Sequence, residues 1–162
     1  MAKGGDTLRA ERGTLERLIA RVPGFRGYLD REGRRQADKL LRDAGAVRLE
    51  RVVRDLSAVI AKSSLEEIGE LQELVTQVEK LRAELRFADR GYSGFFDELK
   101  LDGEAALDAV YTQDERIVEQ VDEVAAQMGD GEFSPAKLRG SVKRLGLALA
   151  DRRNAILGLG SR

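Results

Sequence analysis

The stretch "KSSLEEIGELQELVTQVEKLRAELRFA", residues 62–88, decides the fold. Ser64 followed three residues later by Glu67 is a capping box, in which a hydroxyl and a carboxylate serve backbone N–H groups that a helix's first turn leaves unpaired. Beyond it Leu71, Leu74, Val78, Leu81, Leu85 and Ala88 recur at alternating spacings of three and four, the apolar seam of a helix in a short coiled coil.

The same rhythm runs outward in both directions. On the N-terminal side a long helix is expected from about Leu29 to Ala61, apolar at Leu40, Leu41, Ala44 and Val47, then better patterned at Leu49, Val52, Leu56 and Val59. The few residues between it and the capping box imply a long antiparallel hairpin. An earlier helix, Thr7 to Arg21 with Thr7 as its cap, presents Leu8, Leu15, Leu18, Ile19 and Val22 to the core. A fourth, Gly103 to Met128, carries Leu107, Val110, Tyr111, Ile117, Val118, Val121, Val124 and Ala125. Ser134 caps a fifth with Pro135 in its favoured first position, and Leu138, Val142, Leu145, Leu149 and Ile156 form its stripe. No segment alternates with strand period. The expectation is an all-α protein: a single helical domain over residues 1–162, a five-helix bundle built on an antiparallel coiled-coil-like hairpin of the second and third helices, frayed at 1–6 and 158–162.

Composition excludes several chemistries. The chain has no cysteine, which removes disulfides, thiolate nucleophiles and cysteine-held zinc, and no histidine, which removes the commonest general base near neutral pH. Charged residues make up 35% of the chain yet sum to −1, so no global field draws it to nucleic acid or anionic membrane. "MAKGGDTLRAERG" has no apolar segment after its lysine, and no run approaches the ~20 apolar residues of a membrane span. A cytoplasmic location is expected. Glycines follow helices and not strands, so no phosphate loop or dinucleotide fingerprint is present, and no cofactor is expected.

Aromatic residues are scarce, and four of the eight lie within 87–96. "GYSGFFD", 91–97, echoes "GFRGYLD", 24–30: glycine, aromatic, any residue, glycine, aromatic, apolar, aspartate. One copy precedes the second helix and the other follows the third, so an antiparallel hairpin places both at one end. Phe25, Tyr28, Phe87, Tyr92, Phe95 and Phe96 are thus expected to cluster there. Two readings stand: an apolar plug closing the bundle, or a groove that binds a partner with Arg26, Arg31, Arg34 and Arg35 alongside.

"EEIGE", with Glu66, Glu67 and Glu70, resembles the first half of the magnesium motif of the all-α nucleoside triphosphate pyrophosphohydrolases. That resemblance implies magnesium held by these carboxylates with a Glu-x-x-Asp pair, which here is Glu119 and Asp122, well beyond that family's spacing. "DGEFS", 130–134, looks like the middle of an EF-hand loop, but Ala126, Met128 and Lys137 fall where three ligands belong; a turn anchored by Phe133 is expected, and no metal.

Charge is segregated along the chain. Basic side chains outnumber acidic ones over 26–54 and 137–153, and the reverse holds over 64–85 and 114–132. Basic second and fifth helices packed beside acidic third and fourth ones would select one topology. Alternatively Lys137, Arg139, Lys143, Arg144, Arg152 and Arg153 would meet a membrane surface or nucleic acid, the only segment, Lys137–Arg153, suited to either. Leu147 lies opposite the apolar stripe of that helix. The functional expectation is a non-enzymatic helical interaction module, an adaptor or assembly factor. It would bind a protein partner, or a second copy of itself as a homo-oligomer, through the aromatic loops or an exposed helix face. The alternative is the magnesium-dependent hydrolase.

Overall fold

The computed structural model describes residues 13–27, 31–87, 104–129 and 131–160, with the side chains of 31–35, 104–108 and 157–160 set aside. Five helices account for most of these residues. Helix α1 covers 13–21, α2 Arg31–Ile60, α3 Leu65–Phe87, α4 Glu104–Ala126 and α5 Pro135–Gly160. No strand occurs among the described residues. Helix α5 runs through the Gly158 to Gly160 stretch expected to fray; Ile156, buried one turn earlier, holds the preceding turns to the core.

The local signals act where the sequence placed them. The Ser64 backbone N–H and hydroxyl both donate to Glu67 Oε2, at 3.0 and 2.9 Å, starting α3 one residue later. This differs from the reciprocal form of the box, because the hydroxyl donates to the carboxylate and does not accept from the Glu67 amide. Ser134 Oγ accepts from the Lys137 N–H at 3.4 Å ahead of α5. Phe133, in the turn before that cap, is half-buried against the core.

Helices α2 and α3 form the expected antiparallel hairpin and share the most extensive interface, closely followed by α4 with α5. Helix α2 also packs along α4, and α3 less intimately along α5. The ion pairs fix the directions. Only residues 61–64 separate α2 from α3, so these two are antiparallel, with Glu50 meeting Arg82 and Arg86; Arg116 meets Asp151 and Arg144 meets Glu123, so α4 and α5 are antiparallel too. Arg48 meets Asp122 and Asp38 shares Arg152 with Asp114, while Glu70 and Glu84 meet Arg139 and Arg153, so the α2–α4 and α3–α5 neighbours run parallel. Round the bundle the order is α2, α3, α5, α4. Helix α1 lies on the outside along α4, with Arg17 paired to Glu115 and Arg21 to Glu119.

Two apolar clusters fill the interior. The larger joins Leu49, Val52 and Leu56 of α2 to the α3 seam, Ile117, Val121 and Val124 of α4, and Leu138, Val142 and Leu145 of α5. The smaller gathers Leu18 of α1 and Val22 just past its end with Phe25, Ala37, Leu41, Val110, Val118 and Ile156. Ile19, Leu40 and Val47, expected in the core, are exposed instead. The reason for the two α2 residues is the α2 register. Continuing its seam backward from Val59, Leu56, Val52 and Leu49 at alternating three and four lands on Gly45, Arg42 and Asp38, and these polar or small residues hold the inward face.

Among the described residues no helix is long and apolar enough to cross a membrane.

Candidate functional site

Two features of the described structure go beyond ordinary packing: a buried layer of charge and a basic groove.

The layer lies where the two apolar clusters meet. Asp114 takes the α4 seam position between Val110 and Ile117, and Arg152 the α5 position between Leu149 and Ile156. Asp38 and Arg42 take the matching positions of α2. Arg152 donates from Nε to Asp114 Oδ1 at 2.6 Å and from Nη2 to Asp38 Oδ1 at 2.5 Å. Arg42 donates from Nε to Asp38 Oδ2 at 2.8 Å. Its Nη1 reaches the carbonyls of Leu85 and Arg86 at 3.0 and 3.3 Å, tying in the last turn of α3. All four bundle helices are therefore joined at one level by two carboxylates and two guanidiniums that balance in charge and are no more than 4% exposed. Gly45 permits the approach, since a Cβ there would sit 3.2 Å from Leu85 Cδ1.

Such a layer adds little net stability, because desolvating the ions offsets most of their attraction. What it does is fix the level. Sliding any one helix by a turn would strand a buried charge against Leu or Val, at a cost of several kcal/mol.

The groove lies between the parallel helices α3 and α5. Two exposed ion pairs cross it: Arg139 Nη2 to Glu70 Oε1 at 2.8 Å and Arg153 Nη2 to Glu84 Oε1 at 3.2 Å. They are two heptads apart on both helices, about 21 Å along the axis. Midway, where a third crossing pair would fall, stand Gln77 and Gly146. The missing side chain at Gly146 leaves a groove of about 460 Å³ floored by Leu81, Val142 and Gly146 itself. Lys80 borders it on the α3 side and Lys143 on the α5 side, both exposed.

The expected site residues divide. Phe25 is 1% exposed within the smaller cluster, swung inward by the turn at Gly24 (φ +81°), so it is a core residue and offers no surface to a partner. Phe87 is 60% exposed, since it falls two residues past the seam position Leu85, on the far side of α3. Among the described residues Phe87 is not part of the apolar cluster around Phe25. Arg31, Arg34 and Arg35 occupy the first turns of α2; their side chains, together with Tyr28, Tyr92, Phe95 and Phe96, lie outside what is described.

Four of the five carboxylates of the hydrolase resemblance go to separate partners, Glu67 to Ser64, Glu70 to Arg139, Glu119 to Arg21 and Asp122 to Arg48, and Glu66 is exposed. Among the described residues no three acidic side chains gather to hold a metal ion. Of the basic cluster on α5, Arg139, Arg144 and Arg153 pair with glutamates of α3 and α4 and Arg152 is buried, while Lys137 and Lys143 are exposed. Leu147, expected off the stripe, is 53% exposed.

The charge layer left its trace in the seams. Asp38, Arg42, Asp114 and Arg152 each fall at a three-or-four step from seam leucines, isoleucines or valines, and the missed signal was charge within the rhythm. No protein-family model, curated protein or solved structure matches this chain. Its class rests on its architecture: an all-α bundle levelled by a buried charge layer, with a basic groove between two parallel helices.

Proposed function

We propose that this protein is a non-enzymatic, cytoplasmic helical interaction module, an adaptor or assembly factor that holds a protein partner against an exposed helix face, the one formed by α3 and α5. The groove carries this reading. It has an apolar floor and cationic rims, and it lies at the least intimate of the four helix contacts. The charge layer supports it by holding α3 and α5 at a constant level, so that the rims stay in register.

A photo-crosslinking amino acid placed at Lys143 tests the proposal, with Ser57 on the exposed face of α2 as the comparison site. Irradiation in the native host is expected to give a discrete protein adduct from position 143 and none from 57. Equal adducts from both positions, or none from either, would overturn the assignment.

A further inference from the structure

We infer that the occupant of the α3–α5 groove is an acidic amphipathic helix of a partner protein; this rests on the interaction-module reading and specifies its chemistry. The shape of the lining carries the inference. On α3 the lining residues Gln77, Lys80, Leu81 and Glu84 follow the i, i+3, i+4, i+7 pattern of a helix face, and on α5 Arg139, Val142, Lys143 and Gly146 follow the same pattern. Two such faces side by side form the receiving half of a helix-in-groove contact. Leu81, Val142 and Gly146 make an apolar strip along the floor, with a lysine on each side. The complement is a helix with one apolar stripe flanked on both edges by glutamate or aspartate, as at the flanking positions of a coiled coil.

Charge separates this occupant from other anionic surfaces. The groove lining is net basic although the chain as a whole carries −1. Yet Arg139 and Arg153 are already paired with Glu70 and Glu84, leaving two lysines to steer an incoming ligand. Two cations suit a helix edge, whereas a nucleic-acid backbone or a lipid surface engages many phosphates at once.

Gly146 gives an independent handle. A glycine inside a helix lowers its stability, and a Cβ at 146 would meet Leu81 Cδ2 at an ordinary 3.7 Å, so packing does not demand glycine there. Its effect is to keep the groove open. Gly69, also within α3, has nothing within 4 Å of a built Cβ and lies outside the groove lining, which makes it the matched control.

The test uses a fluorescent synthetic helix of about 18 residues, about 27 Å long, with leucines at three-and-four spacing flanked by glutamates. A scrambled isomer and a lysine-for-glutamate twin accompany it, together with anionic vesicles and duplex DNA. Anisotropy titration is expected to show saturable binding of the acidic amphipathic helix, about tenfold or more tighter than either peptide control and tighter than vesicles or DNA. Lys80→Glu with Lys143→Glu is expected to weaken it about tenfold or more. Gly146→Leu is expected to abolish binding without lowering the melting temperature, whereas Gly69→Ala raises the melting temperature and leaves binding unchanged. Equal binding of the scrambled peptide, preference for vesicles or DNA, or indifference to the lysine reversals or to Gly146→Leu would overturn the inference. A protein adduct at position 143 with no acidic-helix binding would discard the acidic helix and keep the interaction module; absence of both would discard both.

Discussion

Replacing Arg152 with methionine is the sharpest test of the charge layer. Arg152 is 3% exposed and bridges Asp114 on α4 to Asp38 on α2 at 2.6 and 2.5 Å. Methionine fills much of the same volume, so the loss is electrostatic: Asp38 and Asp114 lose the Arg152 guanidinium in a layer no more than 4% exposed. Breaking a buried pair from one side costs about 3–5 kcal/mol, a large share of the ~5–15 kcal/mol that holds a domain folded. With a urea dependence of about 2 kcal/mol/M, the midpoint is expected to fall by roughly 1.5–2.5 M. The companion variant replaces the whole layer, Asp38→Leu, Arg42→Met, Asp114→Leu and Arg152→Met together. It removes all four charges of the layer at once and is expected to match or exceed the parent in stability, as buried ion clusters often do when replaced by apolar groups. Its cost should appear as lost uniqueness, read as reduced amide-exchange protection and broadened side-chain resonances around Leu85 and Leu149. Urea melts followed by far-UV circular dichroism decide. A loss under about 1 kcal/mol for Arg152→Met would mean that the charges are hydrated and not desolvated. A fourfold variant as unstable as the single one would mean that the layer itself stabilises the fold.

Two further predictions concern caps and turns. Gly27 sits at φ +89°, and a Cβ there would lie 2.9 Å from the Tyr111 hydroxyl and 3.1 Å from Leu15 Cδ1. Gly27→Ala is therefore expected to destabilise by about 1–2 kcal/mol from backbone conformation, with the steric overlap added, and calorimetry showing no loss would refute that account. The Glu67 carboxyl is held below its ordinary 4.5 by the Ser64 backbone N–H and then by the Ser64 hydroxyl. Because that pKa is depressed by folding, its contribution is complete above about pH 4.5 and disappears as the pH falls through the folded value. Glu67→Ala should thus melt below the parent at neutral pH, with the gap closing in acid, and a pH-independent gap would assign the effect to something other than the ionised cap.

Much of the architecture was legible because helices announce themselves locally. Ser64 and Glu67 lie within one turn, Pro135 follows its capping serine directly, and the α3 seam needs only α3 to be seen. The same local reading misplaced Leu40 and Val47, because it assumed that the inward face of α2 must be apolar. Asp38 and Arg42 hold that face, and an aspartate becomes an acceptable core residue only when an arginine from another helix reaches it.

What the sequence alone determined is therefore the set of helices, the caps of α3 and α5, the hairpin and the segregation of charge, since each depends on residues a few positions apart; the expected Thr7 cap lies outside the described residues. Tertiary structure decided which charges turn inward, that Phe25 belongs to the core, and that α3 runs parallel to α5. Arg152 meets Asp38 across 114 positions of chain and Arg139 meets Glu70 across 69, and no periodicity within one helix encodes a pairing between two. The groove has the same origin. Gly146 is a weak point in α5 taken by itself, and it becomes an opening only when α3, crossed by ion pairs a heptad to either side, is set against it.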